Sequence, residues 1–406
     1  MTSPVAFFTQ SLGGYFGADL CGADLLDGLL AADVRALLIT AWKDRQTRAV
    51  VRTHPRICDW LVAPRTVPFP KRLNARLPRR LASWAKHGLL DPVRRRRLAA
   101  AGAARLAVVN GLGSHPLWRS ARHACSAPAV LAVQESPGHF EFKKEPQALA
   151  AAVDAMAQYH SLIFASSRCR DKWLAMEPLC GKPAFYVPNS CDEHAVGRAA
   201  AQDRRELRSR LGLPADPFVI VCVASLQARK GQDLIVDAWP ELARAVPEAV
   251  VYLVGPVLSD AGRKLLDRIR ATGLADRIIW TGARPDALDF IRAADCLLLP
   301  SRAEAMPRVV LEAMALNTPV VASDVDGIPE MIEDGVHGHL FPIDRPDGMV
   351  QALAHVAGDP DAAAAMAQQA ARRYRSHFSR AQLVERFKNV FNDILRRPGA
   401  ETGSNR

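Results

Sequence analysis

Residues 295–323 read DCLLLPSRAEAMPRVVLEAMALNTPVVAS, in which two apolar runs flank an amphipathic stretch. The runs DCLLLPS (295–301) and PVVAS (319–323) are short and almost continuously apolar, which is typical of strands buried on both faces. Between them, PRVVLEAMALN spaces its apolar residues as an α-helix does, and proline is favoured at a first helical position. The segment predicts a strand, a helix that begins at Pro307 and a second, parallel strand.

The same alternation continues on both sides of this segment. Strand-like runs in the second half are FVIVCVAS (218–225), AVVYLVG (249–255) and RIIWTG (277–282), each followed by a helical pattern. The first half is less regular, but six runs are of the same kind: VAFFTQ, DVRALLITA, RLAVVNG, AVLAVQES, SLIFASS and AFYVPNS. Strands that alternate with helices predict an α/β fold with two Rossmann-like, doubly wound parallel-sheet domains.

A chain of 406 residues is longer than one hydrophobic core usually supports. We expect an amino-terminal domain over residues 1–190 and a second domain over residues 191–378, facing each other across a cleft. The last predicted helix, 379–397, is capped by Ser379. It carries an apolar stripe that we expect to pack on the first domain, formed by Leu383, Phe387, Phe391 and Ile394.

Composition limits the class of protein. The chain contains no apolar run of about 18 residues and lacks the basic start of a secretory signal, so we expect a cytoplasmic protein. The eight cysteines show no Cys-x-x-Cys pair, which indicates reduced, mostly buried thiols and no structural zinc site. No nucleic-acid-binding motif accompanies the net charge of +11, so a nucleic-acid partner is not expected.

The positive charge is concentrated in residues 65–97, which hold eleven Lys or Arg and one acid, Asp91. Apolar residues from Phe69 to Trp84 recur at three to four positions, as on a basic amphipathic helix, although Pro78 would kink or divide it. Two interpretations remain open: peripheral contact with an anionic membrane or lipid-linked acceptor, or packing of a solvated helix on the first domain. The patch comprises Lys71, Arg72, Arg76, Arg79, Arg80, Arg94, Arg95, Arg96 and Arg97.

Two carboxylates, Glu304 and Glu312, lie on either side of the predicted helix start. Glu312 falls about five residues into the helix, some 7 to 8 Å along its axis at ~1.5 Å per residue. The two acids would therefore meet different parts of one ligand at the carboxyl ends of the strands. Both oxygens of Glu312 could accept from the two hydroxyls of a ribose. Alternatively, both are solvated residues at a helix boundary.

A pair of cations follows the first strand of the second domain. Arg229, Lys230 and Gly231 lie in VASLQARKGQDLIVDA, again where a strand ends and a helix begins. Paired cations at such a position can neutralise a diphosphate and stabilise it as it departs. A solvated turn is the alternative for this segment alone.

Taken together, these motifs resemble the retaining GT-B glycosyltransferases of family 4, the glycosyl transferases group 1. The resemblance covers about residues 215–345, including Lys230-Gly231, SRAEAMPRVVLEAMALNTPVVASDVDGIPEMI and DGVHGHLF, and extends loosely to Gly13-Gly14 and AVLAVQES. It implies transfer of a sugar from a nucleoside diphosphate, UDP or GDP, to an acceptor hydroxyl, in bacterial glycan, lipopolysaccharide or glycolipid synthesis, without a cofactor or metal.

The resemblance also implies roles for individual residues. Lys230 and Arg229 would hold the donor diphosphate, Glu312 the ribose, and Glu304 the donor sugar. Gly13 and Gly14 would let a first-domain loop approach the diphosphate closely. The implied donor-binding set is completed by the residues that follow Glu304, namely Ala305, Met306, Val309 and Val310.

The chain departs from this pattern at two positions. Ser225 and Ala224 stand where the family often has an arginine, and Arg229 could supply that charge. Gln134-Glu135 replaces the usual histidine–glutamate pair of the first-domain loop, so either Gln134 or the later His139 would contact the donor sugar.

These departures leave a non-catalytic relative that binds a sugar nucleotide or a protein partner as the alternative. A sugar epimerase on a similar fold is a third possibility. Asp324 and Asp326, in SDVDGIPE, are interpreted as part of a turn and not as metal ligands.

Overall fold

The computed structural model describes residues 4–9, 17–31, 34–40, 47–48, 51–52, 55–62, 102–122, 125 and 127–396. Within them, two parallel β-sheets are each covered by helices on both faces. This arrangement confirms the predicted fold of two Rossmann-like domains.

The first sheet has seven strands in the order β3-β2-β1-β4-β5-β6-β7, and every pairing is parallel. Its strands are β1 (Val5–Thr9), β2 (Ala36–Thr40), β3 (Ile57–Val62), β4 (Leu106–Asn110), β5 (Ala129–Val133), β6 (Ser161–Phe164) and β7 (Ala184–Tyr186).

The second sheet has six strands in the order β10-β9-β8-β11-β12-β13, again all parallel. Its strands are β8 (Val219–Val223), β9 (Val250–Val254), β10 (Ile278–Gly282), β11 (Cys296–Leu299), β12 (Val320–Ser323) and β13 (His339–Phe341). In both sheets the strand order reverses beside the first strand, and crevices at such points are the usual ligand sites of open α/β sheets.

Helices connect the strands. In chain order they are α1 (Gly17–Ala31), α2 (His115–Ala121), α3 (Gly138–Phe142), α4 (Pro146–Ala157), α5 (Ser167–Leu174), α6 (Glu193–Ala200), α7 (Arg204–Leu211), α8 (Asp233–Asp237), α9 (Trp239–Ala245), α10 (Asp260–Ala271), α11 (Ala287–Ala293), α12 (Arg308–Ala315), α13 (Ile328–Met331), α14 (Pro346–Gly358), α15 (Pro360–Arg373) and α16 (Arg380–Arg396). None of the helices in the described ranges is both long and apolar enough to cross a bilayer.

The central strands are almost entirely apolar because both of their faces are buried. In β8, Val219 and Val221 face one layer of helices, whereas Ile220 and Cys222 face the other. In the first domain, Phe7 and Phe8 of β1 likewise face opposite layers of helices, and each side chain is fully buried. Full burial of one such side chain contributes about 1.5–3 kcal/mol.

The final helix belongs to the first domain although it follows the second in sequence. Leu383, Phe387, Phe391 and Ile394 of α16 are buried against α1 and the first sheet. A five-residue π-helical segment, Tyr374–Phe378, precedes α16 where the chain returns to the first domain. Six cysteines among the described residues are free thiols, and all of these except Cys180 are buried.

Two strands and one helix boundary differ from the sequence-based expectation. The missed strands, β3 and β13, lie at sheet edges, where one neighbour is lacking and the sequence is less apolar. Helix α12 begins at Arg308, not Pro307, because Pro307 has an extended backbone (φ −71°, ψ 119°) and occupies the N-cap position.

Candidate active site

A cleft of about 460 Å³ separates the two sheets where their strands end. Gln134 and His139 line it from the first domain, in the segment that follows β5. Lys230, Glu304 and Glu312 line it from the second domain, in the segments that follow β8 and β11. The parallel fold thus brings residues from distant segments to one place, as the carboxyl ends of strands do.

Two cations share one carboxylate at the centre of the cleft. Glu304 is in direct ionic contact with the ammonium group of Lys230, and its Oε1 lies 3.3 Å from Nη1 of Arg229. Ser301 donates a hydrogen bond of 2.8 Å to the same carboxylate oxygen. The side chains of Arg229, Lys230 and Glu304 are 17%, 15% and 9% exposed. The cluster therefore carries one net positive charge in a largely dehydrated position.

The pKa values in this cluster follow from its charges. Burial alone would raise the pKa of Glu304, but Lys230 and Arg229 outweigh it and lower that pKa to about 2. Burial lowers the pKa of Lys230, and the Glu304 carboxylate opposes that change. The carboxylate is thus ionised at neutral pH, and a further anion near Lys230 would favour its charged form.

Gly231 allows the cation turn to pack on the end of β11. Its φ is +69°, and a Cβ at this position would lie 1.7 Å from the carbonyl oxygen of Pro300. Two contacts join the same segments: Arg229 Nη1 donates to the Ala303 carbonyl at 2.6 Å, and the Arg302 amide donates to the Arg229 carbonyl at 2.8 Å. The position of Lys230 therefore depends on the loop that carries Glu304.

Helix α12 presents Glu312 at the other end of the cleft. The Glu312 side chain is 18% exposed, and its carboxylate lies 4.0 Å from Arg308 Nε. Arg308 Nη1 donates to the carbonyl of Ser190, and Asn189 Nδ2 donates to the carbonyl of Met306. The start of α12 is thereby fixed to the segment that joins the two domains.

The first domain contributes a neutral histidine. Burial, followed by the Arg229 and Lys143 cations, lowers the pKa of His139 to about 4. Its Nε2 lies 2.9 Å from the Lys143 ammonium group, which has only protons to donate, so Nε2 accepts and the ring proton is on Nδ1. In the same segment, burial raises the pKa of Glu135, whereas the hydrogen bonds it accepts from the Leu112 and Gln134 amides oppose that effect.

Most of the residues selected from the sequence line this cleft. They are Gln134, His139, Ser225, Arg229, Lys230, Glu304, Ala305, Met306, Val309 and Glu312. Val310 does not: its side chain is fully buried in the core, and its amide donates to the Pro307 carbonyl. Gly13, Gly14 and the basic patch from Lys71 to Arg97 lie outside the described residues.

Three further polar residues have roles that the sequence did not indicate, and two of them, Arg284 and Ser136, line the cleft. Arg284, after β10, lines the cleft and pairs through two nitrogens with Asp286. Ser136 donates to the buried Asp326 across the domain boundary at 2.5 Å. The sequence signal for Arg284 was an Arg-Pro-Asp directly after an apolar strand. No local signal pairs residues 136 and 326, and within the described residues no group of three His, Cys, Asp or Glu could hold a metal ion.

Sequence comparison finds glycosyltransferases. The chain is 28% identical over 328 residues to the alpha-D-kanosaminyltransferase of Streptomyces kanamyceticus, covering 77% of this chain and 84% of that protein. It is 32% identical over 228 residues to the lipopolysaccharide core mannosyltransferase LpsB of Rhizobium meliloti, covering 53% and 64%. A D-inositol 3-phosphate glycosyltransferase of Kineococcus radiotolerans is 35% identical over 227 residues, covering 52% and 51%. The chain thus spans only about half to two thirds of the last two proteins.

Structural comparison supports the GT-B fold over nearly the whole chain. Anabaena HepE, solved with UDP and glucose, superposes with a TM-score of 0.75 at 23% identity, covering 96% of this chain and all of that one. WaaG, a glycosyltransferase involved in lipopolysaccharide biosynthesis, gives a TM-score of 0.70 at 17% identity, covering 95% and 99%. At these identities the likeness concerns the fold.

The family model for glycosyl transferases group 1 matches residues 203–373. This range contains the cation turn, Glu304 and Glu312, and all six strands of the second sheet. Over residues 203–373 the predicted resemblance to the glycosyl transferases group 1 is therefore confirmed.

Proposed function

We propose that the protein is a retaining glycosyltransferase that moves a sugar from a nucleoside-diphosphate donor to a hydroxyl of a glycan or lipid-linked acceptor. The observation that carries this proposal is the cluster of Arg229, Lys230 and Glu304 at the centre of the interdomain cleft. It combines an excess of positive charge with low exposure, which is what a departing diphosphate requires.

The leaving group develops charge as the bond between the sugar C1 and the phosphate oxygen breaks. Arg229 and Lys230 would stabilise this charge on the diphosphate without a metal ion or cofactor. In the retaining reaction the acceptor oxygen bonds to C1 on the face that the diphosphate leaves, and the acceptor proton passes to the departing phosphate oxygen. Atoms and charges then balance with no enzyme nucleophile.

The remaining residues would orient the donor. Glu312 offers two acceptor oxygens to the ribose hydroxyls, and Glu304 accepts from hydroxyls of the donor sugar. His139, which is neutral and carries its proton on Nδ1, can donate to the sugar or phosphate but adds no charge. Gln134 lines the same side of the cleft and could make an equivalent hydrogen bond.

UDP is the first donor nucleotide to test, since HepE was solved with UDP and glucose, and GDP is the second. Thermal unfolding should be followed with UDP, GDP, ADP and their sugars, for the native chain, for Glu312→Ala and for the exposed control Glu333→Ala. Ligand at about 100 times its Kd stabilises by roughly 2.7 kcal/mol. One nucleotide that shifts the native chain and the control, but not Glu312→Ala, supports the donor site. The absence of any shift contradicts it.

Release of free nucleoside diphosphate decides between catalysis and the second candidate, a non-catalytic sugar-nucleotide binder. That candidate is favoured by Ser225 and Gln134, which stand where the family often has charged or imidazole groups. An enzyme releases the diphosphate and forms a product whose anomeric configuration, read by proton NMR, matches the donor. An epimerase would instead isomerise the donor sugar without an acceptor.

We further propose that the basic patch of residues 71–97 directs the protein to an anionic membrane surface as a peripheral protein on the cytoplasmic side. Each cation near such a surface contributes roughly 1 kcal/mol. Replacing Arg94 to Arg97 by glutamine should abolish sedimentation with vesicles that contain anionic lipid. Unchanged sedimentation would refute the membrane role and leave the transfer reaction unaffected.

A further inference from the structure

In the turn Asp324–Glu330 of the second domain, two carboxylates accept hydrogen bonds from the first domain, and a third, Asp324, forms a longer ion pair with Arg168 of that domain. Asp326 and Glu330 are four residues apart, and each accepts hydrogen bonds from a first-domain serine and its surroundings. Neither contact is explained by holding the donor, because neither Asp326 nor Glu330 lines the cleft. The two carboxylates define a separate function of this turn.

Glu330 completes the amino end of helix α5. One carboxylate oxygen accepts from Ser166 Oγ and the Arg168 amide, both at 2.6 Å. The other accepts from the Ser167 amide at 2.9 Å and the Ser167 hydroxyl at 2.8 Å. The first amides of a helix have no partner within it, and an anion at that end is stabilised by the helix dipole. A residue of one domain therefore caps a helix of the other.

Asp326 makes the corresponding contact at helix α3. Its carboxylate accepts from Ser136 Oγ at 2.5 Å, and Ser136 Oγ in turn accepts from the amide of Gly138, the first residue of α3. Lys172 of α5 donates to the same carboxylate at 2.8 Å. His139 is the second residue of α3, so Asp326 fixes the helix that brings this imidazole to the cleft.

Asp326 also holds the loop that carries Glu304. The Glu304 amide donates to Asp326 Oδ2 at 3.1 Å, and the Gly327 amide donates back to the Glu304 carbonyl at the same distance. Asp326 is thus in contact with the two sides of the cleft at once. It is 8% exposed, so these interactions are only weakly screened.

The backbone of the turn at Asp326 and Gly327 adopts a conformation that is maintained by these contacts. Asp326 has a φ of +45°, a conformation that costs energy for any residue with a side chain and persists where surrounding contacts impose it. At the next residue, a Cβ on Gly327 would lie 1.8 Å from the Ala305 carbonyl oxygen and 2.8 Å from Ser166 Cβ. The turn can approach both domains only because residue 327 lacks a side chain.

We propose that Asp326 and Glu330 form a two-carboxylate latch that holds the cleft closed, with Asp326 as a positioning residue that aligns the His139 helix with Glu304. The latch fixes the first domain over the donor without touching the donor itself. Its loss should therefore lower kcat at least 10-fold and change nucleoside-diphosphate affinity less than 3-fold. The kinetic part of this inference rests on the proposed transfer reaction.

Hydrogen exchange of the full-length chain tests the latch without any activity. Glu330→Gln keeps the shape but leaves one acceptor oxygen for four donors, so exchange in residues 166–169 should rise at least 10-fold. Asp326→Asn, in which asparagine tolerates the left-handed backbone, should raise exchange in residues 136–140. Lys172→Met removes the same contact with Asp326 from the side of the first domain. Because this lysine is half exposed, its replacement leaves the turn itself unchanged and tests the contact even if the turn variants misfold.

Two neighbouring carboxylates serve as matched controls. Asp324→Asn alters the same turn, but this carboxylate is half exposed and 3.7 Å from Arg168. Glu333→Gln alters an exposed glutamate three residues after Glu330. Both controls should leave exchange and kcat unchanged.

The outcomes are distinct. Unchanged exchange in Glu330→Gln overturns the latch, whatever the activity of the chain. Faster exchange confined to α5, with kcat unaltered in Asp326→Asn and Lys172→Met, reduces Glu330 to a helix cap and overturns the positioning role of Asp326. A native chain that transfers no sugar ends the proposed function but leaves the exchange results to decide the latch.

Discussion

The sharing of one buried carboxylate by two cations predicts an unusual response to Glu304→Gln. The substitution keeps the volume and removes the charge that Lys230 and Arg229 share. Removing one partner of a buried ion pair typically destabilises a protein by about 3–5 kcal/mol, because the other charge remains buried. The stability of the ligand-free chain should therefore fall although no apolar contact is lost.

The pKa of Glu304 gives an independent magnitude. It falls from 4.5 to about 2, which corresponds to roughly 3 kcal/mol at about 1.36 kcal/mol per pKa unit. A loss of about 3 kcal/mol lowers Tm by roughly 6–12 °C for a domain of 150–250 residues. The native contribution is present above pH 4.5 and is lost as the pH falls towards 2, so the deficit of the variant should shrink over that range.

A nucleoside diphosphate should reverse part of this loss. In the native chain the diphosphate competes with Glu304 for Lys230 and Arg229, whereas in the variant it is their only counter-charge. Saturating UDP or GDP should therefore raise the Tm of Glu304→Gln by more than that of the native chain, by at least about 2–4 °C, which is roughly 1 kcal/mol.

Differential scanning calorimetry at pH 7 and at pH 3, with and without nucleotide, measures all of these quantities, and Glu333→Gln serves as the exposed control. A Tm within about 2 °C of the native value at pH 7 would refute the assigned charge balance. So would a nucleotide-induced increase no larger than the native one. Whatever the Tm of Glu304→Gln, the variant should lose transfer activity if Glu304 accepts hydrogen bonds from the donor sugar.

Three other predictions follow from separate features. Gly231→Ala should destabilise the chain by several kcal/mol more than Gly273→Ala, because both glycines have a φ of +69° but only at residue 231 would a Cβ meet a backbone oxygen; equal losses in urea unfolding would contradict the clash. Glu312→Ala should weaken nucleoside-diphosphate binding by about 10- to 100-fold, the loss of a charged hydrogen bond of about 1.5–3 kcal/mol, and calorimetric titration that shows less than a twofold change would exclude contact with the ribose. Because the pKa of His139 is about 4, the native chain should lose stability as the pH falls from 6.5 to 4, where the unfolded state binds the proton first; His139→Asn should show a smaller loss over this range, and an identical pH profile would contradict the partly buried, neutral imidazole.

The central part of the fold could be predicted because its strands are buried on both faces. Runs such as FVIVCVAS leave few alternatives to a parallel strand, and the alternation with helices determines the class. The edge strands β3 and β13 have one neighbour each and contain polar residues. They therefore lack the continuous apolar run by which the central strands were predicted. The boundary of α12 was wrong by one residue because Pro307, of a type favoured at the first helical position, here has an extended backbone and occupies the N-cap.

The cleft could be predicted in outline because its residues directly follow strands. Lys230 and Glu304 each lie just beyond a carboxyl end, where a parallel sheet gathers them. The side chain of Val310 lies in the core and not in the cleft because, within a helix, neighbours in sequence point to different sides. The pairing of Ser136 with Asp326 joins residues 190 positions apart, and the left-handed backbone of Asp326 has no signature in the sequence. Long-range polar contacts of this kind require the fold.

The return of α16 to the first domain has a consequence for synthesis of the chain. The first sheet is complete at Tyr186, and α1 covers part of one of its faces, but the four apolar side chains of the final helix that pack on the same face arrive only with Arg380–Arg396. At about 5–20 residues per second, the intervening stretch of about 200 residues takes a ribosome roughly 10–40 s to make. During that interval this face of the first sheet lacks part of its cover, while the second sheet, contiguous from residue 219 to 341, can complete its core. The domain that is translated first is thus the one that finishes folding last.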